Sequence, residues 1–282
     1  MHGIKKPEFF IVGAPKCGTT ALFICLKQHP CIFMPSIKGR QCFADDILGD
    51  LRVIRTLQDY CACYSNSRSD LILGEASVAY LGSPAAVRRI AAFQPGARII
   101  IMLRNPVDVM YSEYSQRIYD LREPAKPFEQ ALQAEKLGQL SEWRQKGSTV
   151  IGLGRRETVR FSHQVRMYLR AFDRSCIHFI IYDDFRRDTD AVYRDVLRFL
   201  GVRADFQPEV KVVNSNKRVR SFTLQRWLHH PSTLVRRIAH LTLPQRWRKI
   251  RWRFITSSKF SIRTSPTART NSKAVFATTA GA

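Results

Sequence analysis

The chain is short of acidic residues, and unevenly so. Its 282 residues carry 46 Lys and Arg against 23 Asp and Glu, and the segment from Lys211 to Ala282 holds sixteen Lys and Arg and no Asp or Glu. The formal charge of +23 is therefore mostly a property of that segment, with only +7 left for the first 210 residues. A surplus this modest suits a protein that holds a polyanionic small molecule rather than a specific nucleic-acid reader. Long apolar runs are also lacking. No stretch approaches the ~18–20 uninterrupted apolar residues of a membrane span, and Met1 to Pro7 has no apolar core of the export-signal kind, so a cytoplasmic protein without a transmembrane segment is expected. Metal-ligand spacing is scarce as well. The seven cysteines are odd in number, and the one close pair, Cys61-Ala-Cys63, lacks C-x-x-C spacing or a second pair, so free thiols are expected and neither a disulfide framework nor a metal site.

What is present is a 45% hydrophobic chain with enough apolar residues for one large domain. Its most informative stretch is Phe9-Phe10-Ile11-Val12-Gly13-Ala14-Pro15-Lys16-Cys17-Gly18-Thr19-Thr20. An apolar run reads as a strand, Gly13 and Pro15 punctuate it, and Thr19 or Thr20 can cap a helix carrying Leu22, Ile24, Cys25 and Leu26. A helix N-terminus behind a glycine turn attracts phosphate or sulfate, because unpaired amides and the helix dipole both favour an anion. The spacing differs from the nucleotide-triphosphate loop G-x-x-x-x-G-K-[ST], since Lys16 stands two residues before Gly18.

Further along, Cys31–Pro35 reads as a short extended piece, Leu51–Tyr64 as a helix, and Leu71–Ser77 as a buried strand with polar residues at its end. Ser83-Pro84 opens a helix that Pro95-Gly96 stops, and Ala97–Leu103 is apolar on both faces, as a central parallel strand should be. Arg104-Asn105-Pro106 then starts a helix with Val107, Tyr111, Tyr114 and Ile118 at helical spacing. Phe128–Leu140, Thr158–Phe172 and Asp188–Leu200 are helix candidates, the last ended by Gly201, and Ile177–Tyr182 is a strand. Strands alternating with helices predict an α/β fold: a P-loop-like three-layer sandwich with a central, mostly parallel sheet flanked by helices. The domain is expected over residues 1–256, with its motifs in 8–221. Residues 222–256 read as a basic amphipathic segment that packs on the domain or touches anionic surfaces, and the Ser/Thr-rich basic tail 257–282 as poorly ordered.

Arg104, at a strand end, and Ser112, about 9 Å along the next helix from Pro106, can face one crevice. A forked guanidinium and an adaptable hydroxyl suit a terminal phosphate. At this point the chain resembles the sulfotransferases that use 3′-phosphoadenosine 5′-phosphosulfate (PAPS), closest to bacterial members related to the heparan sulfate O-sulfotransferase branch. Lys16-Cys17-Gly18-Thr19-Thr20 is similar to the family's 5′-phosphosulfate loop, with Cys17 where Ser is frequent, and Arg104 with Ser112 to its 3′-phosphate pair. The resemblance continues through Gly74-Glu75-Ala76-Ser77, Tyr182-Asp183-Asp184-Phe185, the helix end Leu197–Val202, and Asn214 to Ser221, where Lys217 and Arg218 belong to a basic loop of the kind that closes over the nucleotide.

The resemblance implies sulfuryl transfer from PAPS to a hydroxyl or amine of a glycan, lipid or small molecule, without a metal, with Lys16 as the catalytic cation. Lys16, Cys17, Gly18, Thr19, Thr20, Arg104, Ser112, Lys217 and Arg218 are the expected nucleotide-binding residues. One part of the family pattern is altered. A segment resembling K-E-x-H-F-F reads Lys38-Gly39-Arg40-Gln41-Cys42-Phe43 here, so the glutamate that takes the acceptor proton is Gly39, and Gly cannot act as a base. Three readings follow: an enzyme using another base, such as Glu75, Asp45, Asp46 or His163; a PAPS-binding protein of sulfotransferase fold with little turnover; and a nucleic-acid-binding protein driven by its basic tail.

Overall fold

The computed structural model describes residues 4–120, 123, 127–136 and 154–209. The expectations for Lys217, Arg218 and the segments 222–256 and 257–282 lie outside the described residues. Five strands form one sheet: β1 Phe9–Ile11, β2 Ile32–Phe33, β3 Ile72–Ala76, β4 Arg98–Leu103 and β5 Ile177–Ile181. The order is β2-β3-β1-β4-β5 and every pairing is parallel. Helices alternate with them: α1 Thr19–Lys27, α2 Asp45–Leu48, α3 Leu57–Ala62, α4 Pro84–Phe93, α5 Pro106–Tyr119, α6 Phe128–Lys136, α7 Arg155–Thr158, α8 Phe161–Ala171, α9 Tyr182–Arg187 and α10 Thr189–Leu200. The parallel sheet flanked by helices is the architecture the alternation predicts.

The central position of β1 and β4 follows from their composition. Phe9, Phe10, Ile11, Ile99, Ile100, Ile101 and Met102 are all fully buried, so no side of either strand is left for solvent. The chain visits β2 and β3 on one side of β1, then crosses to β4 and β5 on the other. The reversal puts the loops after β1 and β4 side by side, at the carboxyl edge where open α/β sheets bind ligands.

Helix ends mostly use the punctuation visible in the sequence. Ser83 caps α4 by accepting from the Ala86 amide, with Pro84 at the first helical position. Asn105 caps α5 by accepting from Val107, Asp188 caps α10 by accepting from Ala191, and Gly201 ends α10 at φ 69°. Several expectations are corrected. The helix expected over Leu51–Tyr64 is confined to α3, because Thr56 caps it by accepting from the Asp59 amide and thereby fixes its start. The helix expected over Thr158–Phe172 is α8, which starts at Phe161, because Thr158 already closes the separate turn α7. On α5, Val107 and Tyr111 are exposed while Tyr114 and Ile118 are buried, together with Val109, Ser112 and Glu113, so the buried face is mixed rather than the apolar stripe of the spacing.

β1 does not stop making ladder bonds at Ile11. The Val12 amide donates to the Ile100 carbonyl at 2.9 Å and the Ala14 amide to the Met102 carbonyl at 3.1 Å, which carries the chain flat along β4 to the start of the loop. Gly13 sits at the closest approach, where an added Cβ would lie 2.6 Å from Met102 Cβ and 2.8 Å from the Met102 carbonyl oxygen. Gly13→Ala should therefore push the two central strands apart and cost about 1–3 kcal/mol in urea unfolding. Unchanged stability in that variant would show that the strands are looser than this.

Candidate functional site

The loop after Gly13 is short and its helix begins abruptly. Lys16 has φ 63° and Gly18 φ 84°, two left-handed residues that turn the chain sharply into α1. Gly18 itself is the N-cap, with no side-chain cap bond, so neither Thr19 nor Thr20 caps the helix as expected. Both lie in its first turn. Ala21 and Leu22 return their amides to the Gly18 carbonyl, while among the described residues the amides of Lys16 to Thr20 have no backbone acceptor. These are the open donors that an anion would take.

Three cations converge on this turn. Lys38 Nζ donates to Thr19 Oγ1 at 2.8 Å and Thr20 Oγ1 at 3.2 Å, which places the Lys38–Phe43 segment beside the loop, as its expected role requires. Arg104 Nη1 donates to the Lys16 carbonyl at 3.3 Å, its Nη2 reaches Asp108 at 3.5 Å, and its guanidinium lies over the Tyr182 ring, 4.6 Å from the centroid. Arg104 Nε is buried with no partner among the described residues, a donor left for something else. Lys16 Nζ approaches Gln116 Oε1 at 3.4 Å. Ser112, on the same face of α5, is buried. The structure thus joins Lys16, Thr19, Thr20 and Arg104 in one crevice at the sheet edge, with Ser112 on the helix that borders it.

The charges are strained by desolvation. Burial lowers the Lys16 ammonium below its ordinary value; nearby Asp120 opposes this, Arg104 reinforces it and Glu113 opposes it more weakly. Burial alone brings Lys38 down to about 8. Cations held out of water near unpaired amides are stabilised by an anion, which restores the charged form. Cys17 takes no part through its side chain. Its thiol is fully buried, donates to the Pro15 carbonyl at 3.4 Å, and is pushed by burial to about 12, so only its amide faces the turn's purpose.

The candidate bases separate clearly. Glu75 is buried at the end of β3, where it accepts from Tyr60 Oη and, at 2.7 Å, from Ser77 Oγ. Ser77 Oγ in turn accepts from the Gln41 amide at 3.1 Å, and the Gly39 amide donates to the Ala76 carbonyl at 2.9 Å. Glu75 therefore anchors the segment carrying Lys38 rather than facing a substrate. Asp45 is paired with Arg89 at 2.7 Å, Asp46 accepts from Ser83 Oγ and the Ala85 amide at the start of α4, and His163 is exposed on α8. An added Cβ at Gly39 would meet nothing within 4 Å, so the position where the resemblance expects a carboxylate is open space at φ 80°.

Some residues of the site had no role assigned from the sequence. Tyr182 supports Arg104 and also backs Gly18, where an added Cβ would lie 3.1 Å from the ring. Gln116 and Asp120 follow Ser112 on α5 at i,i+4 spacing, the sequence signal that could have placed them near it.

A parallel α/β sheet with a glycine turn at its carboxyl edge, open amides and converging, desolvated cations makes a site suited to an anion. Comparison with known proteins gives the family. The sulfotransferase domain model matches residues 6–228, and the chain belongs to the sulfotransferase family. It is similar to human carbohydrate sulfotransferase 15, 30% identical over 149 residues that cover 38% of this chain and 27% of that protein. It is also similar to the human bifunctional heparan sulfate N-deacetylase/N-sulfotransferase 2, 34% identical over 117 residues, 40% of this chain and 13% of that protein. The matched region is thus about a quarter or less of these relatives' length. Among solved structures, a sulfotransferase from Alicyclobacillus acidocaldarius aligns with TM-score 0.65 and 35% identity, covering 75% of this chain and 87% of that one. Among the described residues no helix is long and apolar enough to cross a membrane.

The depressed Lys38 value has a measurable sign. With a folded value of about 8 against 10.5, the buried ammonium penalises the fold in full below pH 8, and the penalty fades as pH rises toward 10.5. Lys38→Met should stabilise the protein at pH 7 by on the order of 1–3 kcal/mol, with the difference vanishing near pH 10.5 in urea unfolding curves. A difference that grows with pH would contradict the burial of Lys38.

Proposed function

We propose that this chain transfers a sulfuryl group from PAPS, its second substrate, to a hydroxyl or amine of an acceptor. The observation that carries this reading is the hydrogen bond from Arg104 to the Lys16 carbonyl, which locks the loops after β1 and β4 into one anion site. PAPS supplies an activated sulfur bonded to the oxygen of its 5′-phosphate. The amides of Cys17 to Thr20 and the Lys16 ammonium hold that phosphosulfate, and Lys16 neutralises the charge that grows on the departing phosphate oxygen. Lys38, through Thr19 and Thr20, adds a second positive charge at the helix entry. Arg104 and Ser112 take the 3′-phosphate, Arg104 held in place by Tyr182 and Asp108 and still carrying its unpartnered Nε. Lys217 and Arg218 are assigned to closure over the nucleotide by the resemblance alone. The relatives' names, carbohydrate and heparan sulfate sulfotransferases, support a glycan as the acceptor class. A cytoplasmic location and a contact of 222–256 with anionic surfaces remain part of the proposal.

Calorimetry with PAP, the desulfated nucleotide, tests it. Wild type should bind; Arg104→Ala should lose more than ~1 kcal/mol, the scale of a charged hydrogen bond. Affinity should also fall as pH rises through about 8, where the free protein's Lys38 gives up its proton, and Lys38→Arg should flatten that dependence. Absence of PAP binding by the wild type would overturn the function.

A further inference from the structure

The crevice has positive groups for the donor but, at Gly39, no base for the acceptor. We propose that Asp120, at the end of α5, is the proton acceptor of the transfer reaction, positioned by Gln116; this rests on the sulfotransferase reading above.

Four observations lead there. First, the last turns of α5 run past Lys16: Ser112, Gln116 and Asp120 stand at successive i,i+4 positions, and Gln116 reaches the Lys16 ammonium. The helix runs from the Arg104 and Ser112 end, assigned to the 3′-phosphate, past Lys16, and its C-cap one turn beyond Gln116 is Asp120. Second, Gln116 links the two ends chemically. Its Oε1 is 3.4 Å from Lys16 Nζ, and its Nε2 donates to Asp120 Oδ1 at 2.9 Å. Among the described residues Asp120 accepts from Gln116 alone, so its second oxygen is available, and the residue is half-buried rather than sealed. Third, Asp120 stands at the C-cap of α5, where the negative end of the helix dipole opposes a carboxylate. A local preference broken in this way is expected where function requires the group. Fourth, the other acidic candidates are committed elsewhere: Glu75 to Tyr60 and Ser77, Asp45 to Arg89, Asp46 to the start of α4.

The step balances. The acceptor hydroxyl gives its proton to Asp120 Oδ2, its oxygen bonds to the sulfur of PAPS, and the bond from sulfur to the 5′-phosphate oxygen breaks. The electron pair stays on that oxygen, opposite Lys16, and the products are the sulfated acceptor, PAP and a protonated Asp120. General-base assistance is typically worth ~10² to 10⁴-fold. Glu113 is the rival, since its Oε2 is buried without a partner among the described residues, but its Oε1 is held by Arg117 at 2.6 Å and the residue is closed to solvent.

The test uses the full chain, with PAP release measured from PAPS in the presence of heparosan, of chondroitin, and in water alone, and PAP affinity measured by calorimetry. Asp120→Asn should bind PAP within about three-fold of wild type and lose about 10²-fold or more in PAP release. Asp120→Ala should show the same loss and recover part of its rate with added formate, a rescue that a merely structural residue would not show. Glu113→Gln should stay within about three-fold. Asp120→Asn turning over like wild type, or the loss appearing in Glu113→Gln instead, would overturn the assignment. So would a wild type that binds PAP yet releases none with either polymer or water, because it would have no proton to accept. A wild type that fails to bind PAP would instead overturn the sulfotransferase reading itself.

Discussion

The parallel pairing of β1 with β4 is the constraint on which the site depends. Its register runs past the strand proper, through the Val12 and Ala14 amides, so the chain enters the loop already fixed against Met102. Only a residue without a Cβ fits at that approach. From there two left-handed residues within three positions bring the chain round to α1, and the Lys16 carbonyl ends up where the Arg104 guanidinium can hold it. A slip of one residue would turn every side chain of β1 to the opposite face and separate the two loops. The fold and the site are thus one problem of register.

The electrostatics of the crevice follow from the same packing. Three cations approach one helix N-terminus, which is itself the positive end of a dipole, and burial removes much of the water that would screen them. Burial is what shifts Lys38 toward its neutral form, and it is the largest cause for Lys16, with Arg104 adding to it there. An anion entering would make the charged arrangement favourable, and the Arg104 Nε and the amides of the turn have no partner among the described residues. Asp108 and Asp120 moderate the charge from the α5 side without filling the site.

Support for the site comes from residues that touch nothing reactive. Glu75, buried with Tyr60 and Ser77, carries a hydrogen-bonded line from β3 to the Gln41 amide, and so holds the backbone from which Lys38 reaches Thr19 and Thr20. Burial raises the Glu75 carboxyl above its ordinary value, consistent with an anchor in a closed environment. Tyr182 does the same for Arg104 from the carboxyl end of β5, stacking on the guanidinium while its ring lies against Gly18.

By itself the sequence determined the alternation of strands and helices, because apolar runs, prolines, glycines and capping side chains act on their near neighbours along the chain. Phe9–Ile11, Arg98–Leu103, the caps at Ser83, Asn105 and Asp188, and the αL end at Gly201 were all legible for that reason. The order P-K-x-G-T-T and the spacing of Arg104 and Ser112 were legible as well, since an anion site needs its donors at fixed offsets. Only the tertiary structure decided which way side chains point and what water they lose. It turned the Cys17 thiol inward, made Gly18 rather than a threonine the cap of α1, gave the threonine hydroxyls to Lys38, and closed Glu75 away from any substrate. It also brought Tyr182 under Arg104 from 78 residues away, and Gln116 to Lys16 from 100. Such contacts depend on β4 pairing beside β1 and β5 beside β4 in the sheet, and nothing in a local pattern of residues encodes the register at which distant strands pair.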